Sequence, residues 1–96
     1  MLETSIEKSF KDKIEALGCL CLKLHVVSWR GWNDRLVLGP NRLVIFFEFK
    51  RPGETARKNQ KYIHRVLVKF GFAVHVVDDT EEALEYVVKA LEVEPT

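Results

Sequence analysis

Residues 43–50 have the sequence LVIFFEFK, in which every odd-numbered position is apolar. The even-numbered positions begin apolar and then change to Glu48 and Lys50. A strand that is apolar on both faces is typical of the interior of a sheet covered on both sides. Glu48 and Lys50 leave the same face of the strand, about 7 Å apart. Burying these two charges is costly unless they are compensated; the alternative is a strand end that reaches solvent, with both charges hydrated.

The residues before this strand predict one helix and two further strands. Apolar residues recur every three or four positions over 2–17, which is typical of an amphipathic helix, and Gly18 ends it. Residues 19–27 predict a strand with one buried face. That face is predicted to consist of Leu20, Leu22, Leu24 and Val26. Residues 35–38 predict the next strand, which closes with the Gly-Pro-Asn turn at 39–41.

The residues after it predict a helix, a strand and a second helix. Thr55 is suited to cap a helix that runs to about Phe70. The buried stripe of this helix is predicted to be Ile63, Val66, Leu67 and Phe70. A strand over 72–77 follows, and Asp79 with Glu82 predicts the start of the last helix. The inner face of the last helix is predicted to be Ala83, Leu84, Val87, Val88 and Leu91.

The order α-β-β-β-α-β-α predicts an α/β fold with a single small mixed sheet flanked by helices. The second and third strands form a hairpin, and the helical crossover between the third and fourth strands requires parallel, right-handed pairing. With 96 residues, the chain is expected to be one domain, 1–96.

Composition narrows the class of protein. Hydrophobic residues make up 47% and charged residues 30%, a globular balance. No apolar segment is long enough to span a bilayer, and two cysteines, Cys19 and Cys21, are too few for a disulfide framework or a zinc site. We expect small core or edge thiols in a soluble protein of a reducing compartment such as the cytoplasm.

The charge is unevenly distributed although the net charge is only +1. Residues 50–69 contain seven basic residues and one acid, and residues 78–94 contain seven acids and one lysine. Because salt screens charges over about 8–10 Å, a phosphate backbone would respond to the basic segment and not to the total. Two solvated helix faces of opposite sign are the alternative interpretation.

Two carboxylates are predicted to meet at one end of the hairpin. Asp34 precedes the second strand, and antiparallel pairing brings it beside Glu48. Neighbouring carboxylates repel unless they share a proton or a cation, and an all-oxygen ligand set favours Mg²⁺ or Mn²⁺. Lys50 beside such an ion could orient a water or neutralise charge in a phosphoryl transition state.

Two helices add polar candidates to this end of the sheet. Gln60 lies at the edge of the apolar stripe of its helix, where it can reach Glu48 and Lys50. Glu3 has a similar border position on the first helix, and Glu7 lies further round and is the weaker candidate. Each could instead be an ordinary border residue.

These residues resemble those of a known family. Gly31-Trp32-Asn33-Asp34, Glu48-Phe49-Lys50 and Gln60, with Glu3 on a leading helix, are similar to the VRR-NUC (virus-type replication-repair nuclease) branch of the PD-(D/E)XK nucleases. The similarity covers nearly the whole chain, with Asn33 where the family usually has proline.

The resemblance implies a restriction-endonuclease-like core and metal-dependent cleavage of DNA. It implies that Asp34, Glu48 and the backbone carbonyl of Phe49 are metal ligands, and that Glu3 belongs to the outer metal shell. Lys50 would be the catalytic lysine, and Gln60 would support the site. Small members of the family form homodimers, so the resemblance also implies two active sites that face two strands.

We therefore expect a Mg²⁺- or Mn²⁺-dependent DNA endonuclease that prefers branched, junction or flap DNA. The phosphate backbone is expected to contact Arg57, Lys58, Lys61 and Arg65. His64 is the histidine best placed to contact a phosphate, while Trp29 and Trp32 could stack on a base, join a dimer interface or be buried. A non-catalytic nucleic-acid-binding or assembly module is the alternative.

Overall fold

The structure is a computed structural model that describes residues 3–25, 35–50 and 58–92, with the backbone alone at positions 3, 4, 58 and 59. The described elements are α1 (Glu3–Ala16), β1 (Leu20–Lys23), β2 (Arg35–Gly39), β3 (Leu43–Phe49), α2 (Lys58–Lys69), β4 (Ala73–Val77) and α3 (Thr80–Glu92). This order confirms the predicted α-β-β-β-α-β-α fold. The predicted cap at Thr55 lies outside the described residues.

The four strands form one mixed sheet in the order β1-β2-β3-β4. β3 is an interior strand, antiparallel to β2 and parallel to β4, as its two apolar faces predicted. The β2–β3 turn places Asn41 and Arg42 in the left-handed region, with φ of 58° and 64°. The register then runs from Gly39, which pairs with Leu43, to Arg35, which pairs with Phe47.

The two faces of the sheet have separate cores. α1 and α3 cover one face, where Phe10 packs against Phe47 and Phe49 with ring centroids 4.9 and 5.1 Å apart. α2 covers part of the other face, where Ile63 and Leu67 pack around Phe46. Because side chains alternate along β3, Phe47 faces α1 while its neighbours Phe46 and Glu48 face the α2 side.

The predicted buried face of β1 is wrong at Leu20 and Leu22, whereas Leu24 just after the strand packs partly buried against the α2-side core, and Val26 lies outside the described residues. Leu20 and Leu22 are 59% and 43% exposed, whereas Cys19 and Cys21 are buried free thiols in the α1–α3 core. The period-two pattern shows which residues share a face, but both faces of β1 are apolar enough to be buried. α1 packs on the cysteine face, while α2 contacts β4 on the other side of the sheet, and Leu20 and Leu22 remain exposed.

The helix predictions are mostly confirmed. Asp79 Oδ2 accepts a hydrogen bond of 3.0 Å from the Glu82 backbone amide, as the predicted cap requires, and Ala83 and Val87 are fully buried. Phe70 is an exception, because it follows the last turn of α2 and is 69% exposed. Among the described residues, no helix is long and apolar enough to cross a membrane.

We predict that the stability of the fold decreases in mild acid through His75. This half-buried ring stacks on Tyr86 with centroids 3.6 Å apart, and burial lowers the pKa of His75. The unfolded chain, whose histidine pKa is about 6.5, then takes up the proton first. The free energy of unfolding in urea should therefore fall as the pH falls below about 6.5, and His75→Phe should reduce this dependence. The matched control is His25→Gln, at an exposed position. If the pH dependence of stability in His75→Phe equals that of the wild type, His75 does not have this role.

Candidate active site

Glu48 is a buried carboxylate near the carboxyl end of β3. It is 1% exposed, and Lys50 just beyond the strand is 6% exposed. The alternative in which the strand end reaches solvent and both charges are hydrated is therefore wrong. The Lys50 amide donates a 2.9 Å hydrogen bond to the Val77 carbonyl, which fixes the backbone beyond the last paired residue of β3.

Two side chains bind the same oxygen of Glu48. Lys50 Nζ lies 3.0 Å from Glu48 Oε1, and Gln60 Nε2 donates a hydrogen bond to that atom. Gln60 is itself 9% exposed and reaches the sheet from the first described turn of α2. The structure thus brings together Glu48, Lys50 and Gln60, three of the predicted site residues.

A buried ion pair of this kind is not expected to add much to the free energy of unfolding. The cost of removing two charges from water often exceeds their attraction, and an apolar pair of similar volume is commonly as stable. Glu48 and Lys50 are instead polar residues on the otherwise apolar α2 side of β3, at the end of the strand that Gln60 contacts. The arrangement is suited to chemistry because it holds an anionic oxygen, an ammonium and an amide together away from water.

His64 lies one helical turn after Gln60 on α2. Burial of the ring, and then the positive charge of Lys50, lower the pKa of His64, so the imidazole is neutral near pH 7. The influence of Lys50 places His64 within electrostatic reach of the buried group. A neutral imidazole can accept as well as donate a hydrogen bond, which a lysine ammonium cannot.

The described residues offer a small number of oxygen atoms that could bind a hard divalent cation. Within residues 3–25, 35–50 and 58–92, no three His, Cys, Asp or Glu side chains are arranged to hold a metal ion. Glu48 supplies a carboxylate and Phe49 a backbone carbonyl, both of which Mg²⁺ and Ca²⁺ accept. The predicted ligand Asp34 and the Glu3 side chain lie outside the described residues. Asp34 is bonded to Arg35, which pairs with Phe47, the residue before Glu48.

Glu7, predicted to lie beyond the border of the apolar stripe of α1, is buried and paired instead. It is 5% exposed, and its Oε1 accepts a hydrogen bond of 3.1 Å from Arg35 Nε. Because Arg35 pairs with Phe47, this ion pair lies on the α1 side of the sheet, opposite to Glu48. Glu7 therefore joins α1 to the start of β2. The apolar period of α1 gives no signal for such a partner.

We predict that Glu7→Gln lowers the free energy of unfolding by about 1–3 kcal/mol, because it leaves the Arg35 guanidinium, on a side chain that is only 13% exposed, without its counter-charge. The double variant Glu7→Leu/Arg35→Met replaces the whole pair by apolar groups and should recover most of this loss. Urea denaturation of both variants measures the effect. The ion pair between Lys11 and Glu15 is exposed, so Glu15→Gln should change stability by less than about 0.5 kcal/mol. Equal losses in Glu7→Gln and Glu15→Gln would contradict the assignment.

The predicted phosphate-binding residues are described in part. Lys61 and Arg65 are exposed on α2, and the Arg65 guanidinium lies over the Tyr62 ring at 5.9 Å from its centroid. Lys58 begins α2, and Arg57 lies outside the described residues, as do Trp29 and Trp32.

The chain is similar over most of its length to proteins of one family. A solved structure described as "VRR_NUC domain" superposes with a TM-score of 0.81 at 29% identity, covering 88% of this chain and 92% of that one. The chain is also 37% identical over 79 residues to "Putative nuclease p44" of Acyrthosiphon pisum secondary endosymbiont phage 1, a match that covers 82% of this chain and 85% of that protein.

This chain belongs to the VRR-NUC family. Its four-strand mixed sheet and three helices, in the order α-β-β-β-α-β-α, match the VRR-NUC fold. No family model matches the sequence.

Proposed function

We propose that this VRR-NUC protein is a divalent-metal-dependent endonuclease that hydrolyses phosphodiester bonds in DNA, with a preference for branched, junction or flap structures. The observation that carries the proposal is the buried Glu48–Lys50–Gln60 group in a fold shared with nucleases. A nucleic-acid-binding module without catalysis has no need for a carboxylate that is 1% exposed and bonded to an ammonium.

In this proposal Asp34, Glu48 and the Phe49 carbonyl would hold Mg²⁺ or Mn²⁺, and Glu3 would belong to its outer shell. When bound, such an ion makes water a better nucleophile and stabilises negative charge on a phosphoryl group. The oxygens of Glu48 and Phe49 are hard donors, and Lys50 and Gln60 fix the orientation of the carboxylate before any ligand arrives.

Lys50 and Gln60 have separate roles. The ammonium of Lys50 is held 3.0 Å from Glu48 Oε1, so it is available to stabilise the charge that develops on the phosphoryl oxygens. Its burial strengthens this effect because little water screens it. Gln60 donates to Glu48 and keeps the carboxylate turned toward the end of the sheet.

DNA would approach from the α2 side of the sheet. Lys61 and Arg65 are exposed there, and Arg57 and Lys58 precede them in the same basic segment. The acidic residues of α3 lie on the opposite face. This polarity favours approach of a phosphate backbone to the side that carries Glu48 and Lys50.

The open apolar surface supports a homodimer. Leu20 and Leu22 on β1 are exposed beside Leu36 and Leu38 of β2, and exposed contiguous apolar surface is typical of an association site. Two copies would present two sites to the two strands of a junction. The similarity to a phage protein favours the cytoplasm of a bacterial or virus-infected host cell as the setting.

The test is cleavage of a labelled four-way junction, a flap and a linear duplex, each with Mn²⁺ and with EDTA. We expect cutting with Mn²⁺ alone, faster on the branched substrates, and abolished in Asp34→Asn. Exposed Asp12→Asn on α1 is the matched control and should cut like the wild type. DNA binding without any cutting would favour the non-catalytic module, and full activity of Asp34→Asn would overturn the ligand assignment.

A further inference from the structure

A cleft of about 410 Å³ runs between α2 and the edge strand β4, outside the Glu48–Lys50–Gln60 group. It is lined by His64, Arg65, Val68, Lys69 and Val74. We refer to it as the α2–β4 cleft. The strand order places β4 at the edge of the sheet, so the cleft opens to solvent on the side away from β1.

The chemistry of the α2–β4 cleft is that of an anion site. Arg65 and Lys69 are exposed cations, and His64 is a half-buried imidazole with both donor and acceptor capacity. None of the lining residues is acidic, and α2 from Lys58 to Lys69 contains no Asp or Glu. Val68 and Val74 give the cleft an apolar wall that suits the sugar of a nucleotide better than a free ion.

The cleft starts at the candidate active site and leads away from it. At about 1.5 Å per residue, His64 lies about 6 Å along α2 from Gln60, and Lys69 lies about 13.5 Å from it. His64, which lines the cleft, lies one helical turn after Gln60, so the near end of the cleft is next to the buried group. A strand whose cleaved phosphate lies at the Glu48–Lys50–Gln60 group could therefore continue into the cleft.

Two other cavities formed by described residues do not offer this chemistry. The opposite side of α2 borders an apolar cavity lined by aromatic and aliphatic residues that include Tyr62, Phe70 and Phe72. The groove along α3 has three glutamates in its wall, at 81, 85 and 92. Of these three cavities, the α2–β4 cleft is the one that combines two cations with a position next to Gln60 on α2.

We propose that the α2–β4 cleft binds the DNA strand next to the bond that is cut, with its phosphates at Arg65 and Lys69 and with His64 between them and the active site. The inference rests on the proposed nuclease function and names the path of its substrate. One strand of duplex DNA has a phosphate every 3.4 Å along the axis, so the distance of about 7.5 Å along α2 from His64 to Lys69 accommodates about two phosphates. The contacts are to the backbone, and they position the strand without reading its sequence.

The first test is the salt dependence of junction binding in EDTA, where no metal-dependent cutting occurs. Each lost phosphate contact lowers the slope of log K against log salt by about 0.9, which is about eightfold in affinity at 0.1 M salt. We expect this change in Lys69→Gln and in Arg65→Gln. The matched control is Lys89→Gln, since Lys89 occupies the last turn of α3 as Lys69 occupies the last turn of α2. An unchanged slope in Lys69→Gln, or an equal loss in Lys89→Gln, would overturn the inference.

The second test follows the histidine ring signals by NMR while a short oligonucleotide is added in EDTA. The His64 signals should shift at the concentrations that bind DNA, while those of His75, which packs against Phe47 and Tyr86, should not. A shift of His75 alone would place the DNA on the wrong face. If the wild type cuts DNA with Mn²⁺ but passes neither test, the cleft assignment fails and the nuclease function stands. If it neither binds nor cuts DNA, the proposed function itself fails.

Discussion

Replacement of Lys50 by methionine is expected to lower the rate of DNA cleavage by about 10²–10³-fold, the cost typical of removing one group that stabilises transition-state charge. Methionine keeps most of the length of the side chain and removes only the ammonium. The Lys50 side chain is 8% exposed, and its Nζ lies 3.0 Å from Glu48 Oε1. DNA affinity should change little, because Lys50 is too buried to be a major contact for the phosphate backbone.

The measurement is single-turnover cleavage of the junction with Mn²⁺ and enzyme in excess. Lys61→Met is the matched control: Lys61 is exposed on α2, so its loss should weaken binding but leave the rate at saturation within about twofold. Thermal unfolding shows whether Lys50→Met is folded, and Lys50→Arg, which restores a positive charge, should recover part of the rate. A saturating rate near that of the wild type in folded Lys50→Met would remove Lys50 from the mechanism.

The second large effect is expected in the core. Phe47→Ala should lower the free energy of unfolding by about 3–5 kcal/mol. Phe47 is 0% exposed, and its ring lies 4.9 Å from that of Phe10 and 5.8 Å from that of His75. Truncation opens a cavity at the point where α1, β3 and β4 meet. The free energy of unfolding of a domain of this size is about 5–10 kcal/mol in total, so this loss should bring the variant close to unfolding at 37 °C.

Urea denaturation measures this loss, with Leu17→Ala as the control. Leu17 is 42% exposed just after α1, so its truncation should cost less than about 0.5 kcal/mol. Phe47→Leu keeps most of the apolar contact and should lie between the two. A loss below about 1 kcal/mol in Phe47→Ala would contradict the description of the α1–α3 core.

The element order could be predicted because each element has its own local signal. Residues 43–50 are apolar on both faces, which requires an interior strand whatever the rest of the chain does. Gly18 and Gly71 lie at the ends of α1 and α2 with φ of 84° and 94°, a conformation that glycine adopts without strain. The side chain of Asp79 caps α3 by accepting a hydrogen bond from the backbone amide of Glu82, three residues later in the sequence.

The buried face of β1 could not be predicted, because the choice depends on what packs against it. Leu20 and Leu22 are more apolar than Cys19 and Cys21, and the pattern alone favours burying the leucines. α1 lies over the thiols, and Leu20 and Leu22 on the opposite face are exposed. Which helix covers which face is set by tertiary packing and not by the alternation of residues along one strand.

The candidate site was predictable where the residues are close in sequence. Glu48 and Lys50 share a face because they are two residues apart on a strand. Gln60 could be predicted because its position at the edge of the apolar stripe of α2 directs it toward the same end of the sheet. The partnership of Glu7 with Arg35 was not predictable, because it joins residues 28 positions apart on separate elements. The role of Asp34 remains a prediction that rests on the hairpin register, which is described as far as Arg35 and Phe47.

The claim on which the account depends is that the carboxylates of Asp34 and Glu48 hold a divalent cation. Isothermal calorimetry with Mn²⁺ tests it without DNA, using the wild type, Glu48→Gln and exposed Glu85→Gln on α3. We expect a saturable heat in the wild type and in Glu85→Gln, with at least a tenfold loss of affinity in Glu48→Gln, because the amide has the same shape but no charge. Unchanged Mn²⁺ affinity in Glu48→Gln, or no heat in the wild type, would contradict the claim.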